Sequence, residues 1–168
     1  SRPIRIVVPF AAGGPTDVLA RALAERMSAA WRQPVIVDNK VGAGGNIAAA
    51  EVAKADADGY TLFAGIDSTV TINPTLYPVL PFAPEALSTV AILASSGLLV
   101  AAHPSLGVRT VQDLAAKART QSLAFSSAGN GSPGHFAAEL FAAAVGAKIV
   151  HVPYKGNAPA VLALVAGE

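Results

Sequence analysis

Two glycine-rich loops constrain this chain more than any other feature, because each stands where a strand gives way to a helix. The first, Pro9-Phe10-Ala11-Ala12-Gly13-Gly14-Pro15-Thr16-Asp17, follows the β-rich run Ile4-Arg5-Ile6-Val7-Val8. The second, Ser126-Ser127-Ala128-Gly129-Asn130-Gly131-Ser132-Pro133-Gly134-His135, follows Leu123-Ala124-Phe125. A turn of this kind gathers backbone N–H groups at the positive end of a helix dipole, which suits an anion. One such loop is common in α/β proteins. Two, in segments that read as separate lobes, predict two half-sites closing on one anionic ligand.

The bulk numbers narrow the partners. With 168 residues, 52% hydrophobic and 14% charged, the chain can build one ordinary domain or two small ones. Its formal net charge is +1 and its Lys and Arg are scattered, so it lacks the basic stripe of a nucleic-acid binder. No apolar run reaches bilayer-spanning length; the nearest, 91–102, is interrupted by Ser95, Ser96 and Gly97. The absence of cysteine excludes disulfides and thiolate metal sites. Ser1-Arg2-Pro3 leads directly into a strand, as in a chain whose signal peptide has been removed.

Strand and helix patterns alternate, which predicts a parallel or mixed sheet flanked by helices. Strands are expected at 4–9, 35–37, 60–64, 90–93, 98–102, 123–126 and 148–152. Helices are expected at 16–31 (capped by Thr16 or Asp17), 47–55, from Thr110 onward, 134–145 and 159–165. Asp67-Ser68-Thr69 reads as a polar loop, and Pro74, Pro78, Pro81 and Pro84 mark an irregular connection. The order of elements starts again after residue 102, so the expected lobes are 1–102 and 103–168.

The candidate ligand contacts fall on loops at strand ends. In the first loop these are Phe10, Ala12, Gly13, Gly14 and Thr16, with the glycines either admitting a carboxylate to the backbone or simply permitting the turn. Asp17 reads more as a helix cap than as a contact, since a carboxylate repels an anion. Gly44, Gly45 and Asn46 form a further donor-rich turn, and Ser68 and Thr69 follow the third strand at its carboxyl end. In the second loop Ser127, Ala128, Gly129, Asn130 and Ser132 offer uncharged donors, with His135 at the helix start. Tyr154 and Lys155 complete the set, Lys155 offsetting ligand charge at the rim.

No catalytic set emerges. Ser132 lacks the G-x-S-x-G elbow, because Asn130 stands in place of its first glycine. The turn at Gly42-x-Gly44 has Ile47 where a dinucleotide fingerprint needs its third glycine. His103, His135 and His151 lack metal-ligand spacing. The expectation is a binding protein with no cofactor, no metal and no turnover.

The opening Pro3-Ile4-Arg5-Ile6-Val7-Val8-Pro9-Phe10-Ala11-Ala12-Gly13-Gly14-Pro15-Thr16-Asp17 resembles the N-terminus of the Bug family, the periplasmic solute receptors of tripartite tricarboxylate transporters. Further segments match in order: Val37-Asp38-Asn39-Lys40, Gly44-Gly45-Asn46, Asp58-Gly59-Tyr60-Thr61-Leu62, Ile72-Asn73-Pro74, Ser126-Ser127-Ala128-Gly129 and Val152-Pro153-Tyr154-Lys155-Gly156. The resemblance implies an α/β fold of the type II periplasmic-binding-protein class, a Venus flytrap with two lobes of mixed or parallel sheet and flanking helices. It implies a periplasmic receptor, not an enzyme, that captures a small carboxylate: an amino acid, a di- or tricarboxylate or an aromatic acid. The implied partners are that ligand and the membrane subunits of the transporter. Members of the family are nearly twice this length, so the second lobe is expected to be incomplete here, with self-association where its edge is open. A carboxylate sensor for a signalling partner and an α/β enzyme binding a phosphorylated ligand are the alternatives.

Overall fold

The computed structural model describes residues 2–168. Three parallel strands, β1 (Ile4–Val8), β2 (Val35–Asn39) and β3 (Thr61–Phe63), form one sheet in the order β2-β1-β3. Two more, β4 (Leu123–Ser127) and β5 (Ile149–Pro153), pair in parallel as a second sheet. Each crossover is a helix: α1 (Pro15–Trp31) between β1 and β2, α2 (Asn46–Ala53) between β2 and β3, and α6 (Pro133–Val145) between β4 and β5. The remaining helices are α3 (Ser68–Thr71), α4 (Asn73–Leu76), α5 (Val111–Thr120) and α7 (Asn157–Ala166). The two-lobed α/β expectation stands, with every observed ladder parallel.

The central strand explains the first core. β1 has neighbours on both edges and is apolar except for the half-buried Arg5, which pairs with Asp38 and Glu51, as suits a strand covered on both faces. Ile6 and Val8 pack with Ala20 and Ala24 of α1, and Leu23, Met27, Val35, Val37, Leu62 and Ala64 close around them. The small alanines let α1 approach the sheet closely. On the other face Ala49 and Ala50 of α2 meet Phe82, with Phe63, Val70, Leu80 and Leu87 packed against them. Phe82 thus pins the proline-rich connection back onto the first sheet.

Several expectations are corrected. The strands expected at 90–93 and 98–102 do not form: residues 91–102 contain no helix or strand and lie exposed, Leu99 at 96%. A strand needs a partner backbone for its N–H and C=O groups, and neither sheet reaches this segment among the described residues. Thr16 does not cap α1; Gly14 occupies the cap position without a side-chain bond, and Pro15 starts the helix. Asp17 serves the helix start from within its first turn, bending back to the Gly13 amide at 2.9 Å. The polar loop expected at 67–69 is the start of α3, because the Asp67 side chain accepts the Ser68 N–H and caps a short helix. α7 begins at Asn157, two residues ahead of expectation. The capped start at Thr110 forms as read: its hydroxyl accepts the Asp113 N–H at 3.1 Å, while Asp113 accepts the Thr110 N–H at 3.0 Å.

Candidate functional site

Both glycine loops stand at the carboxyl ends of their parallel strands, where open α/β sheets leave a crevice. The first is held by Asp17, which is 2% exposed. Its carboxylate accepts Gly13 N–H, Arg21 Nε and Asn39 Nδ2, each at 2.9 Å. The Arg21 bond, with help from Gly13 and Asn39 and against the effect of burial, pulls the Asp17 pKa down to about 2. Asn39 also donates to the Phe10 carbonyl at 2.9 Å, so the end of β2 braces both ends of the loop. Asp17 therefore spends both oxygens on the loop itself. Phe10 is 9% exposed and belongs to the wall behind it.

A second brace joins the turn at 42–46 to α3 and α4. Asn46 and Asn73 are both buried, and Asn73 Nδ2 donates to Asn46 Oδ1 at 2.7 Å and to the Gly44 carbonyl at 3.0 Å. Thr69 Oγ1 reaches the same carbonyl at 3.4 Å, and Ser68 is buried beside it. Asn73 Oδ1 is left buried with no partner. Asn46 and Thr69 thus support the turn, and Ser68 is buried with them.

The lobes meet at these loops. The Ala11 N–H donates to the Lys155 carbonyl at 2.9 Å. A Cβ on Gly156 would lie 3.2 Å from both Ala11 N and Phe10 Cβ, so the approach there requires glycine. At a second junction, a Cβ on Gly44 would lie 2.9 Å from the Asn130 carbonyl, and one on Gly131 2.9 Å from Asn73 Oδ1. Lys155 thus contributes its backbone to the junction, and the neighbouring Tyr154 donates its hydroxyl to Glu168 at 3.2 Å.

The second loop is braced from inside. Ser127 Oγ accepts the Gly129 N–H at 3.1 Å and lies 2.6 Å from His151 Nε2. Ser132 caps α6 by accepting the His135 N–H at 3.3 Å, and His135 Nδ1 accepts the Gly131 N–H at 3.2 Å.

What the loops leave over is chemically informative. Among the described residues, the amides of Ala12, Gly14 and Thr16 in the first loop make no hydrogen bond, nor do those of Ala128 and Asn130 in the second. These are fixed, uncharged donors at two helix starts, with no carboxylate left open beside them. Such a set accepts an anion without a compensating cation. Two depressions lie elsewhere, one of about 420 Å³ around Thr120 and Lys148 and one of about 390 Å³ around Arg5 and Lys54. Neither touches a glycine loop, and neither has buried donors converging on it. Of the supporting residues, Asn39, Asn73 and His151 are not among the ligand contacts expected from the sequence. Asn39 and Asn73 do carry a local signal: each is a short amide, at the end of a strand or before a proline.

The chain belongs to the tripartite tricarboxylate transporter family receptors (TctC), whose pattern matches residues 19–168. This is a family of solute-binding receptors rather than enzymes. Protein BugT of Bordetella pertussis is 40% identical over 171 residues, covering 99% of this chain and 52% of BugT. MatC from Rhodopseudomonas palustris, solved with bound malate, superposes with a TM-score of 0.88 at 33% identity, covering 99% of this chain and 57% of MatC. Another R. palustris protein, solved with adipate, gives 0.85 at 36% identity with coverage of 99% and 57%. The chain spans about half the length of the curated relatives it matches. No helix among the described residues is long and apolar enough to cross a membrane.

Proposed function

We propose that this chain is part of a periplasmic receptor that captures a small carboxylate and presents it to the membrane subunits of a tripartite tricarboxylate transporter. The observation that carries this reading is the pair of glycine loops whose Ala12, Gly14, Thr16, Ala128 and Asn130 amides remain unspent. Malate and adipate in the related structures are carboxylates of the matching chemistry. In this reading the lobes divide at 102/103, and Gly13, Gly129 and Ser132 shape the loops that face the ligand. Asp17, Asn46 and Thr69 hold those loops in place. In this reading the chemistry of these loops is capture and release. Closure is then a shift of population toward the state with better ligand contacts.

Gly14 supplies the test. Its φ is −78°, and a Cβ there would meet only the Ala11 carbonyl at 3.6 Å, an ordinary contact. Gly14→Ala should therefore fold normally. Gly14→Val, whose methyls fill the space over the amide, should abolish calorimetric binding of malate and adipate to the intact protein. Unchanged affinity in Gly14→Val removes the first loop from the site. The uncovered apolar segment around Val90, Ile92 and Leu99 extends the proposal to self-association. Light scattering on the 168-residue chain should give a mass above its monomer's 16.9 kDa, and a monodisperse monomer would refute that part.

A further inference from the structure

Two histidines from different elements stack directly beneath the second glycine loop. His135, in the first turn of α6, and His151, on β5, lie with ring centroids 4.0 Å apart and planes 15° from parallel. Phe125, the register partner of His151 on β4, lies 4.8 Å from the His151 ring and 6.4 Å from that of His135. Each imidazole reaches the loop by a different route, and the two routes respond differently to a proton.

His135 Nδ1 accepts the Gly131 N–H at 3.2 Å, so Nδ1 carries a lone pair and the ring proton sits on Nε2, 3.8 Å from Glu139 Oε1. A second proton has only Nδ1 to occupy. There it faces the Gly131 amide donor to donor, and the bond is lost. His151 behaves otherwise. Its Nε2 lies 2.6 Å from Ser127 Oγ, a hydroxyl also 3.2 Å from the Gly129 carbonyl. That hydroxyl donates to a bare Nε2, or accepts from a protonated one and turns its own proton to Gly129. Ser127 tolerates both states; Gly131 tolerates one. A charge on either ring also opposes a charge on the other across 4.0 Å.

We infer that the His135–His151 stack is a proton-sensitive support of the second glycine loop, whose neutral form holds Gly131 in the turn and whose protonation releases it, so that carboxylate capture weakens under acid. The inference rests on the capture reading and adds its regulation.

The surroundings set the direction. Burial, and then the nearness of His135, push the His151 pKa below the ordinary 6.5, with Glu139 opposing. Glu139 is the one charged group facing the pair from α6, and its side chain is 52% exposed, so solvent screens it. From α5, Arg119 binds the Val145 carbonyl at the far end of α6. Lys148 precedes β5 and is exposed, and α7, packed on β4, has no ionisable side chain. From the first lobe the loop meets Asn73 and Leu76; Tyr77, whose hydroxyl stands by Gly44, is kept neutral by burial, which raises its pKa. No fixed charge overrides the histidines.

His135→Asn separates protonation from support, since an asparagine carbonyl can stand in for Nδ1 as acceptor but does not titrate. Malate and adipate affinities of the intact wild type and the variant are compared by calorimetry at about pH 8 and about pH 5.5, either side of the ordinary histidine value. Both proteins meet the same ligand ionisation, so the ratio of affinities reports the protein alone. That ratio, wild type over variant, should fall about tenfold on acidification, the equivalent of one lost hydrogen bond in the loop. Parallel pH curves overturn the inference. A ligand-free arm reads the loop directly: the Gly131 amide resonance should titrate with the imidazole C–H resonances in the wild type and stay flat in His135→Asn. A flat Gly131 resonance while the imidazoles titrate also overturns it. Absence of binding at every pH beside a titrating Gly131 refutes carboxylate capture and leaves the loop support standing.

Discussion

Replacing Asp17 by Asn tests the architecture of the first loop at its anchor. The carboxylate takes Gly13 N–H and Arg21 Nε on Oδ2 and Asn39 Nδ2 on Oδ1, each at 2.9 Å. An asparagine amide, whichever way it turns, sets an NH2 against at least one of these donors. Lowering a carboxyl from 3.8 to about 2 corresponds to about 2.5 kcal/mol of folding free energy at neutral pH. Arg21 is 52% exposed, so screening brings the expected figure nearer 2 kcal/mol. For a chain of this size that lowers the melting temperature by about 4–8 °C. Because the folded pKa is depressed, the stabilisation is complete above the unfolded value of 3.8 and disappears as pH falls through about 2. Urea unfolding of wild type and Asp17→Asn, followed by circular dichroism from neutral pH down through that window, measures both parts. A difference under about 0.5 kcal/mol at neutral pH, or one that does not narrow between 3.8 and about 2, refutes the assignment of Asp17 as the loop's anchor.

Gly45→Ala should cost about 2–4 kcal/mol in urea unfolding, because φ is +98° and the new Cβ would lie 2.7 Å from Thr69 Oγ1; a loss under about 1 kcal/mol would show that the turn at 42–46 yields easily. Thr110→Ala should cost about 1 kcal/mol through its capping box while leaving malate and adipate affinity unchanged, as the Thr110 side chain bonds only within its own helix start. Gly131→Ala places a Cβ 2.8 Å from Leu76 Cδ2 and 2.9 Å from Asn73 Oδ1, so it should push the lobes apart and raise the radius of gyration seen in small-angle scattering. An unchanged radius would show that the junction absorbs the methyl.

Much of the fold was legible because its signals are local. A parallel strand buried on both faces shows as Ile4-Arg5-Ile6-Val7-Val8, and the Thr110-x-x-Asp113 cap is written in four residues. The segment 90–102 misled for the opposite reason. Its apolar, β-branched composition states what the chain would do beside a partner strand and says nothing of whether one is present. The candidate site was half legible. Glycine turns announce where amides cluster, but which amides are spent depends on contacts across the sequence. Ala11 is spent on Lys155, Gly13 on Asp17 and Gly131 on His135, while their neighbours stay unpaired. Asn39 and His151 act through partners 18 to 29 residues away, beyond any local pattern.

The bare acceptor on Asn73 bears on how an empty receptor rests. With its NH2 fixed by Gly44 and Asn46, the side chain cannot turn to hide its oxygen, and Gly131 of the other lobe stands over it. Every movement that draws Gly131 away lets water reach that oxygen and relieves about 1–3 kcal/mol. On the receptor reading, the shut form without ligand is thereby disfavoured about 5- to 150-fold by one atom, and the ligand's contacts must exceed that before the lobes stay together. On that reading, the unmet acceptor of Asn73 favours parted lobes until a ligand's contacts outweigh it.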